Sequence, residues 1–416
     1  MGNTSSEAAG CAKNPAFEKT TQKGHSKEQN LEYAVSSMQG KRPSMEDKHL
    51  YCVELPVHGK IPTFLVDHAI FAVFDGHGGP FSSTYVEEHF LQVLSRRPEL
   101  ARYADMPPTG SKSRADANGI MLLKQALVST FLMLDEMLIP MQKQRNAAIS
   151  SGELTPPPLA AESDSEDENT AGTDSGIPLK LNGERSGSTC VAVLLTPTHF
   201  VCANTGDSRA ILRRNGKILP LSFDHKPVEV GERARITSAG GVVKGKRIDG
   251  DLAVSRGFGD YMYKKDPGLA PDLQKVTVVP DLVVYPRDQA FDEFILLACD
   301  GVWDVASNTQ CADIVQKLLT EGETDLGNIC EEALDTCLDR HSGDNMTVML
   351  VGLPAMNVNR SGIAILSNAL WGTRTARKVR LLTNATTKAT GTALDTVRKE
   401  IKNHIRPSTP NTLQTK

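Results

Sequence analysis

Acidic residues stand where apolar runs end. Ile70-Phe71-Ala72-Val73-Phe74 stops at Asp75 and continues as Gly76-His77-Gly78-Gly79. Phe294-Ile295-Leu296-Leu297-Ala298 leads into Cys299-Asp300-Gly301-Val302-Trp303-Asp304. Asp344 comes just before the run Met346 to Val351, and Glu46-Asp47 precedes the first core strand. Taken alone, Asp-Gly after a strand is ordinary turn chemistry. If these strands lie side by side, however, their ends converge, and uncompensated carboxylates that close repel one another and are forced to protonate. A divalent cation resolves the repulsion. Oxygen ligands without a histidine or thiolate cluster indicate hard magnesium or manganese rather than zinc. Two such ions about 3.5–4 Å apart hold a bridging water or hydroxide as nucleophile and neutralise a phosphoryl group. That chemistry is hydrolysis without a covalent enzyme intermediate.

The elements that must position these acids are short β-rich runs ending in acidic or glycine turns. Strands are predicted at Ile70 to Phe74, Thr189 to Leu195, Phe200 to Asn204, Ala210 to Arg213, Leu282 to Tyr285, Phe294 to Ala298 and Met346 to Val351. Helical patterns cover Ser82 to Leu94, Ile120 to Leu138, Val230 to Ala239, Gln310 to Leu319 and Leu326 to Asp339. Most strands lie close together in the chain and regular βαβ alternation is missing. The fold class is therefore α+β, with antiparallel sheets covered by helices rather than a doubly wound nucleotide-binding sheet.

The order of the motifs is more specific than any one of them. Ser36-Ser37-Met38-Gln39-Gly40-Lys41-Arg42-Pro43-Ser44-Met45-Glu46-Asp47 and Phe74 to Gly79 are followed by Ser186-Gly187-Ser188-Thr189 and Asn204-Thr205-Gly206-Asp207-Ser208-Arg209. Then come Leu252-Ala253-Val254-Ser255-Arg256-Gly257-Phe258-Gly259-Asp260, Ala298 to Asp304, and Gly343-Asp344-Asn345-Met346-Thr347. From Tyr33 to Gly352 this resembles the metal-dependent protein phosphatase family of the 2C type. The resemblance implies a four-layer αββα sandwich of two antiparallel sheets flanked by helices, with a binuclear centre at one end. It implies that Asp75 bridges two Mg²⁺ or Mn²⁺ ions, that the Gly76 carbonyl binds one and that Asp300 and Asp344 bind the other. Glu46 and Asp47 would hold metal-bound waters, and Asp207 with Asp300 would form a weaker third site. Arg42 matches the arginine that grips the substrate phosphate, a task suited to its planar fork of donors. His77 matches the proposed general acid, and an imidazolium within reach can protonate a poor alkoxide leaving group. Arg209 and Arg256 read as loop braces. Asp224-His225-Lys226-Pro227 through Gly240-Gly241 resembles the family's flap, within which Lys226, Arg233 and Arg235 are given no catalytic role.

The implied function is hydrolysis of phosphoserine and phosphothreonine in phosphoproteins. A metal-dependent nuclease would use similar carboxylates, but the motif order speaks against it. A pseudophosphatase or membrane-tethered scaffold is the non-enzymatic alternative; it would lack some of Asp75, Asp300 and Asp344, and all three are present.

The chain has 416 residues and a net charge of −4, a composition that suggests no nucleic-acid partner and no wholly disordered chain. No run is expected to reach the roughly 20 apolar residues of a membrane span, nor does the amino terminus carry a secretory signal. A cytoplasmic monomer is the expectation, with most of the scattered cysteines as buried thiols. Residues 1–30 read as a flexible tail, 31–353 as the phosphatase domain with an acidic disordered insertion at about 150–182, and 354–416 as a basic extension. Met-Gly2-Asn3-Thr4-Ser5-Ser6 fits an N-myristoylation pattern at Gly2. One acyl chain gives only marginal peripheral membrane binding, so Cys11 palmitoylation or Lys13, Lys19, Lys23 and Lys27 would have to add to it. Ser163 and Ser165 precede acidic residues and suit an acidophilic kinase, and Ala393 to Ile405 has the spacing of a short amphipathic helix.

Overall fold

Ala69–Phe74 is buried at every position, and its alternate side chains enter two different cores: Ala69, Phe71 and Val73 one, Ile70, Ala72 and Phe74 the other. Successive side chains of a strand point to opposite faces, so continuous burial requires a sheet covered on both sides. The computed structural model describes residues 15–59, 62–110, 113–153 and 186–356. Its principal strands are β1 (Ala16–Ser26), β2 (Leu31–Gly40), β3 (Lys48–Cys52), β4 (Ala69–Phe74), β5 (Cys190–Leu195), β6 (His199–Thr205), β7 (Arg209–Arg214), β8 (Lys217–Pro220), β9 (Asp281–Pro286), β10 (Asp292–Ala298) and β11 (Met346–Gly352). Its principal helices are α1 (Phe81–Ser95), α2 (Pro98–Asp105), α3 (Ala117–Ser150), α4 (Val230–Ser238), α5 (Asp300–Trp303), α6 (Asn308–Thr320) and α7 (Leu326–Asp339).

The strands form a six-stranded sheet, β1-β2-β11-β10-β7-β8, and a five-stranded sheet, β9-β6-β5-β4-β3. Every neighbouring pair is antiparallel. Between the sheets pack Val35, Leu212, Ile295, Leu297 and Met349 of one and Phe71, Val73, Val193 and Phe200 of the other. The outer face of the smaller sheet carries Ile70 and Phe74 against Val86 and Phe90 of α1, Leu100 and Tyr103 of α2, and Leu127 and Phe131 of α3. On the larger sheet α7 lies over β2, where the Cys330 thiol reaches the Ala34 carbonyl at 3.7 Å. These layers are the expected αββα sandwich. Six of the seven described cysteines are buried and all seven are free.

Several elements differ from the sequence reading. Residues assigned to the flexible tail form the edge strand β1, paired with β2 from Lys19↔Met38 to Ser26↔Leu31. Side chains fix it to α7: Lys19 to Asp335 at 2.7 Å, Thr21 to Glu331 at 2.7 Å and Lys23 to Asp325 at 2.6 Å. Lys19 and Lys23 thus help to hold this edge strand on the helix. Its alternation is of polar with polar, which hides a strand from a hydrophobicity pattern. Helix α3 runs past Pro140 to Ser150; proline removes one helical hydrogen bond, and turns on both sides carry the helix through. By length and composition alone α3 could cross a membrane, its most apolar 18-residue stretch having a mean hydropathy of 1.4, although Lys124, Asp135 and Glu136 interrupt the helix. Leu123, Leu127, Phe131, Leu134 and Leu138 nonetheless lie in the core cluster with α1 and α2. Finally, β2, β3, β8, α2 and α5 add to the elements read from sequence, α2 starting with proline at its first position. Gly2, Cys11, Lys13, Ser163, Ser165, the Ala393–Ile405 helix and nearly all of the acidic insertion and basic extension lie outside the described residues.

Candidate active site

Antiparallel pairing brings the acids together. Met346 at the start of β11 lies beside Met38 at the end of β2, Ala298 at the end of β10 beside Val348, and Phe74 at the end of β4 beside Lys48. The segments after β2, β4, β6 and β10 and before β11 thus emerge at one end of the sandwich. There Arg42, Glu46, Asp75, Gly76, His77, Asp207, Asp300 and Asp344 line a single cleft of about 330 Å³. Carboxylate oxygens of Asp75, Asp207 and Asp300 lie within 4.8 Å of one another. Asp47 is outside the cleft lining, yet its carboxylate stands within the same distance of Asp75 and the Cys299 sulfur.

Gly301 makes the closest approach possible: a Cβ there would stand 2.0 Å from the Asn345 carbonyl. The Asp300 turn and the Asp344 strand start could not meet around a larger residue. Asn345 then clamps the loop that carries Arg42, Glu46 and Asp47. Its Oδ1 accepts from the Glu46 N–H at 2.9 Å, and its Nδ2 donates to the Gln39 and Ser44 carbonyls at 2.7 and 2.9 Å. Ser44 donates to Glu46 Oε1 at 2.8 Å and the Gly79 N–H to Oε2 at 3.0 Å. Thr347 donates to Asp47 Oδ2 at 2.7 Å.

The electrostatics are those of a cation cage. Burial, then the charges of Asp300, Asp47, Asp344 and Asp207, push the Asp75 carboxyl well above the usual carboxylate range. Asp300 rises likewise through burial and through Asp207, Asp344 and Asp304. Burial lifts Asp47 to about 7 despite hydrogen bonds from Thr347 and Cys299. Two buried oxygens, Asp47 Oδ1 and Asp207 Oδ1, accept no hydrogen bond. Buried polar atoms are rarely left so, and an oxygen-seeking divalent ion satisfies them. Burial holds the Cys299 thiol protonated, which leaves an all-oxygen donor set. The residues present fit magnesium or manganese.

Around the cage stand three basic side chains. Arg42 Nη2 donates to Asp344 Oδ2 at 2.7 Å, and this partner outweighs burial and raises the guanidinium further. His77 Nε2 lies 2.8 Å from Asp260 Oδ2; burial would lower the imidazole, but the Asp260 charge and hydrogen bond prevail and raise it. Lys226 Nζ donates to Asp207 Oδ2, and its charge also faces Asp300 and Asp304.

A protein-family model described as Protein phosphatase 2C matches residues 31–155 and 159–346. The chain belongs to the protein phosphatase 2C family. It is 36% identical to human Protein phosphatase 1B over 327 residues, a span of 79% of this chain and 58% of that protein. It is 35% identical to human Protein phosphatase 1A over 340 residues, 82% of this chain and 75% of that one. The serine-threonine phosphatase 2C of Toxoplasma gondii has the same fold, with a TM-score of 0.59 at 24% identity over 81% of this chain and 99% of that chain.

In this 2C-type domain Arg209 and Arg256 are braces, as expected: Arg209 holds Asp224 through two nitrogens at 2.8 Å, and Arg256 joins Glu232 at 2.7 Å to Asp281 at 2.7 Å. Arg235 also grips Glu232, at 2.6 Å, and neither Arg233 nor Arg235 lines the cleft. Lys226, also given no catalytic role, pairs with Asp207 at the edge of the acidic cluster. Asp260 and Asn345 were within recognised motifs without a role. Their partners lie 183 and 299 residues away, a pairing that local spacing does not reveal.

Proposed function

We propose that this chain is a metal-dependent protein phosphatase that hydrolyses phosphoserine and phosphothreonine in proteins, and that it binds two Mg²⁺ or Mn²⁺ ions with a weaker third. The observation that carries the reading is the convergence of Asp75, Asp207 and Asp300 within 4.8 Å, in one cleft with Arg42 and His77. Asp75, the Gly76 carbonyl, Asp300 and Asp344 would hold the two ions, Glu46 and Asp47 would support them through water, and Asp207 with Asp300 would hold the third. Bound ions of this kind supply a deprotonated water as nucleophile and neutralise phosphoryl charge.

The side chains do the rest. Arg42 is tied to Asp344 through one nitrogen, and its remaining donors bind the phosphate oxygens. His77 gives a proton to the departing serine or threonine oxygen, which would otherwise leave as a strongly basic alkoxide. Leu252, Ala253, Val254 and Met262 form an apolar wall of the cleft, suited to the stem of a phosphorylated side chain.

Replacing Asp75 with alanine tests the assignment. Phosphate release from phosphothreonine peptides should fall by more than about 100-fold while the circular dichroism spectrum is kept; near-normal turnover would refute the ligand role. Myristoylation of Gly2 and peripheral membrane association are proposed on the amino-terminal pattern alone. A native amino-terminal peptide with unmodified Gly2 in mass spectrometry would exclude them.

A further inference from the structure

One pair in the cleft is left unexplained by the acidic cluster. Gly76–His77, Gly187–Ser188 and Phe258–Gly259 form a small three-stranded sheet with Gly187–Ser188 in the middle. His77 pairs with Gly187, and Gly187 pairs with Gly259. His77 on one edge and Asp260, just past the other, meet across the central strand at 2.8 Å. They can meet because position 187 has no side chain: a Cβ there would lie 2.2 Å from Asp260 Oδ2 and 2.3 Å from His77 Nε2.

The carboxylate is held firmly. Asp260 is 1% exposed and its backbone is left-handed, at φ 53°, a conformation that costs a non-glycine residue free energy and is kept where its surroundings impose it. Here the Asp260 N–H donates to the Ser186 carbonyl at 3.2 Å, and its own carbonyl accepts from the Tyr263 N–H at 2.9 Å. The preceding Gly259 N–H is bound to Asp135 at 2.8 Å, and Asp135 is paired with Lys264 at 2.9 Å.

We propose that Asp260 is the positioning residue of His77, fixing its proton on Nε2 and its ring plane so that Nδ1 is the nitrogen that serves the leaving oxygen, and that glycine at 187 makes the pairing possible. The inference rests on the phosphatase reading above. As the phosphorus–oxygen bond to the substrate side chain breaks, its electron pair goes to the leaving oxygen, which takes the proton from Nδ1. The water oxygen has by then formed the new bond to phosphorus. The ring is left neutral with Nε2–H on Asp260, and solvent returns the lost proton.

The test compares two leaving groups at saturating magnesium. A phosphothreonine peptide needs a proton on its leaving alkoxide, whereas p-nitrophenyl phosphate releases a stable phenolate without one. In both Asp260→Asn and Gly187→Ala, kcat on the peptide should fall about 10- to 100-fold, while kcat on the aryl phosphate changes by less than about 3-fold and KM on either is kept. Equal losses on the two substrates, or full peptide turnover in Asp260→Asn, would overturn the proposal. Long-range ¹⁵N–¹H spectra of the magnesium-loaded wild type provide a reading that needs no variant. They should show neutral His77 as the Nε2–H tautomer, and an Nδ1–H tautomer or a mixture would overturn the proposal even if both variants misfold. If the folded wild type releases phosphate from neither substrate, the phosphatase reading fails, while the tautomer still decides the pairing.

Discussion

Removing a carboxylate from the cluster should make the protein more stable without metal and useless with it. Asp75, Asp207 and Asp300 hold carboxylate oxygens within 4.8 Å. Two unit charges at that separation repel by about 3–4 kcal/mol at an effective dielectric constant near 20. Proton uptake and solvent at the partly buried Asp75 and Asp300 reduce this, and Lys226 offsets part of the Asp207 charge. In chelator at neutral pH, Asp300→Asn should therefore be about 2–3 kcal/mol more stable than wild type. It should also lose most of the stabilisation that manganese gives the wild type. Urea unfolding followed by Trp303 fluorescence, with chelator and then with manganese, measures both. A variant less stable than wild type in chelator, or one that gains as much from manganese, would refute the cation-cage argument.

Two further expectations concern residues around the cage. Asn345→Ala removes three hydrogen bonds to the Arg42–Asp47 loop, at about 1 kcal/mol each; urea unfolding should show a loss of about 3 kcal/mol, and a loss below about 1 kcal/mol would contradict the clamp. Glu232 is pulled by burial upwards but more strongly by Arg256 and Arg235 downwards, to about 2 from an ordinary 4.5. A depressed carboxylate contributes stability above its unfolded pKa and loses it as pH falls through the folded one. Wild type should therefore exceed Glu232→Gln by about 2–3 kcal/mol at pH 7, and the gap should close between pH 4.5 and 2. A gap independent of pH would remove the ionic account of this brace.

What was legible in the sequence depended on burial and adjacency. Asp75 and Asp300 were legible because each follows a strand buried at every position, β4 and β10, whose ends are marked by the first polar residue. Helix α7 was read with its observed limits, Leu326–Asp339, because one apolar stripe runs its whole length. Strand β1 was not legible: its stability comes from ladder pairing and from ionic contacts with a helix some 300 residues later in the chain, as the 316-residue gap between Lys19 and Asp335 shows. Lys226 gives no sign in sequence of its contact with Asp207, for the same reason. Its surroundings in sequence are a loop with proline, and only folding places its ammonium on Asp207. The Asp260–His77 pair requires a glycine from a third segment, which no reading of either motif alone supplies.

The central claim is tested most directly by phosphate release from a phosphothreonine peptide by the purified 416-residue chain, first with manganese, then with excess chelator, then with manganese restored. The account predicts turnover that vanishes in chelator and returns with the metal. A well-folded protein that is inert throughout, or one whose activity survives complete metal removal, would contradict it.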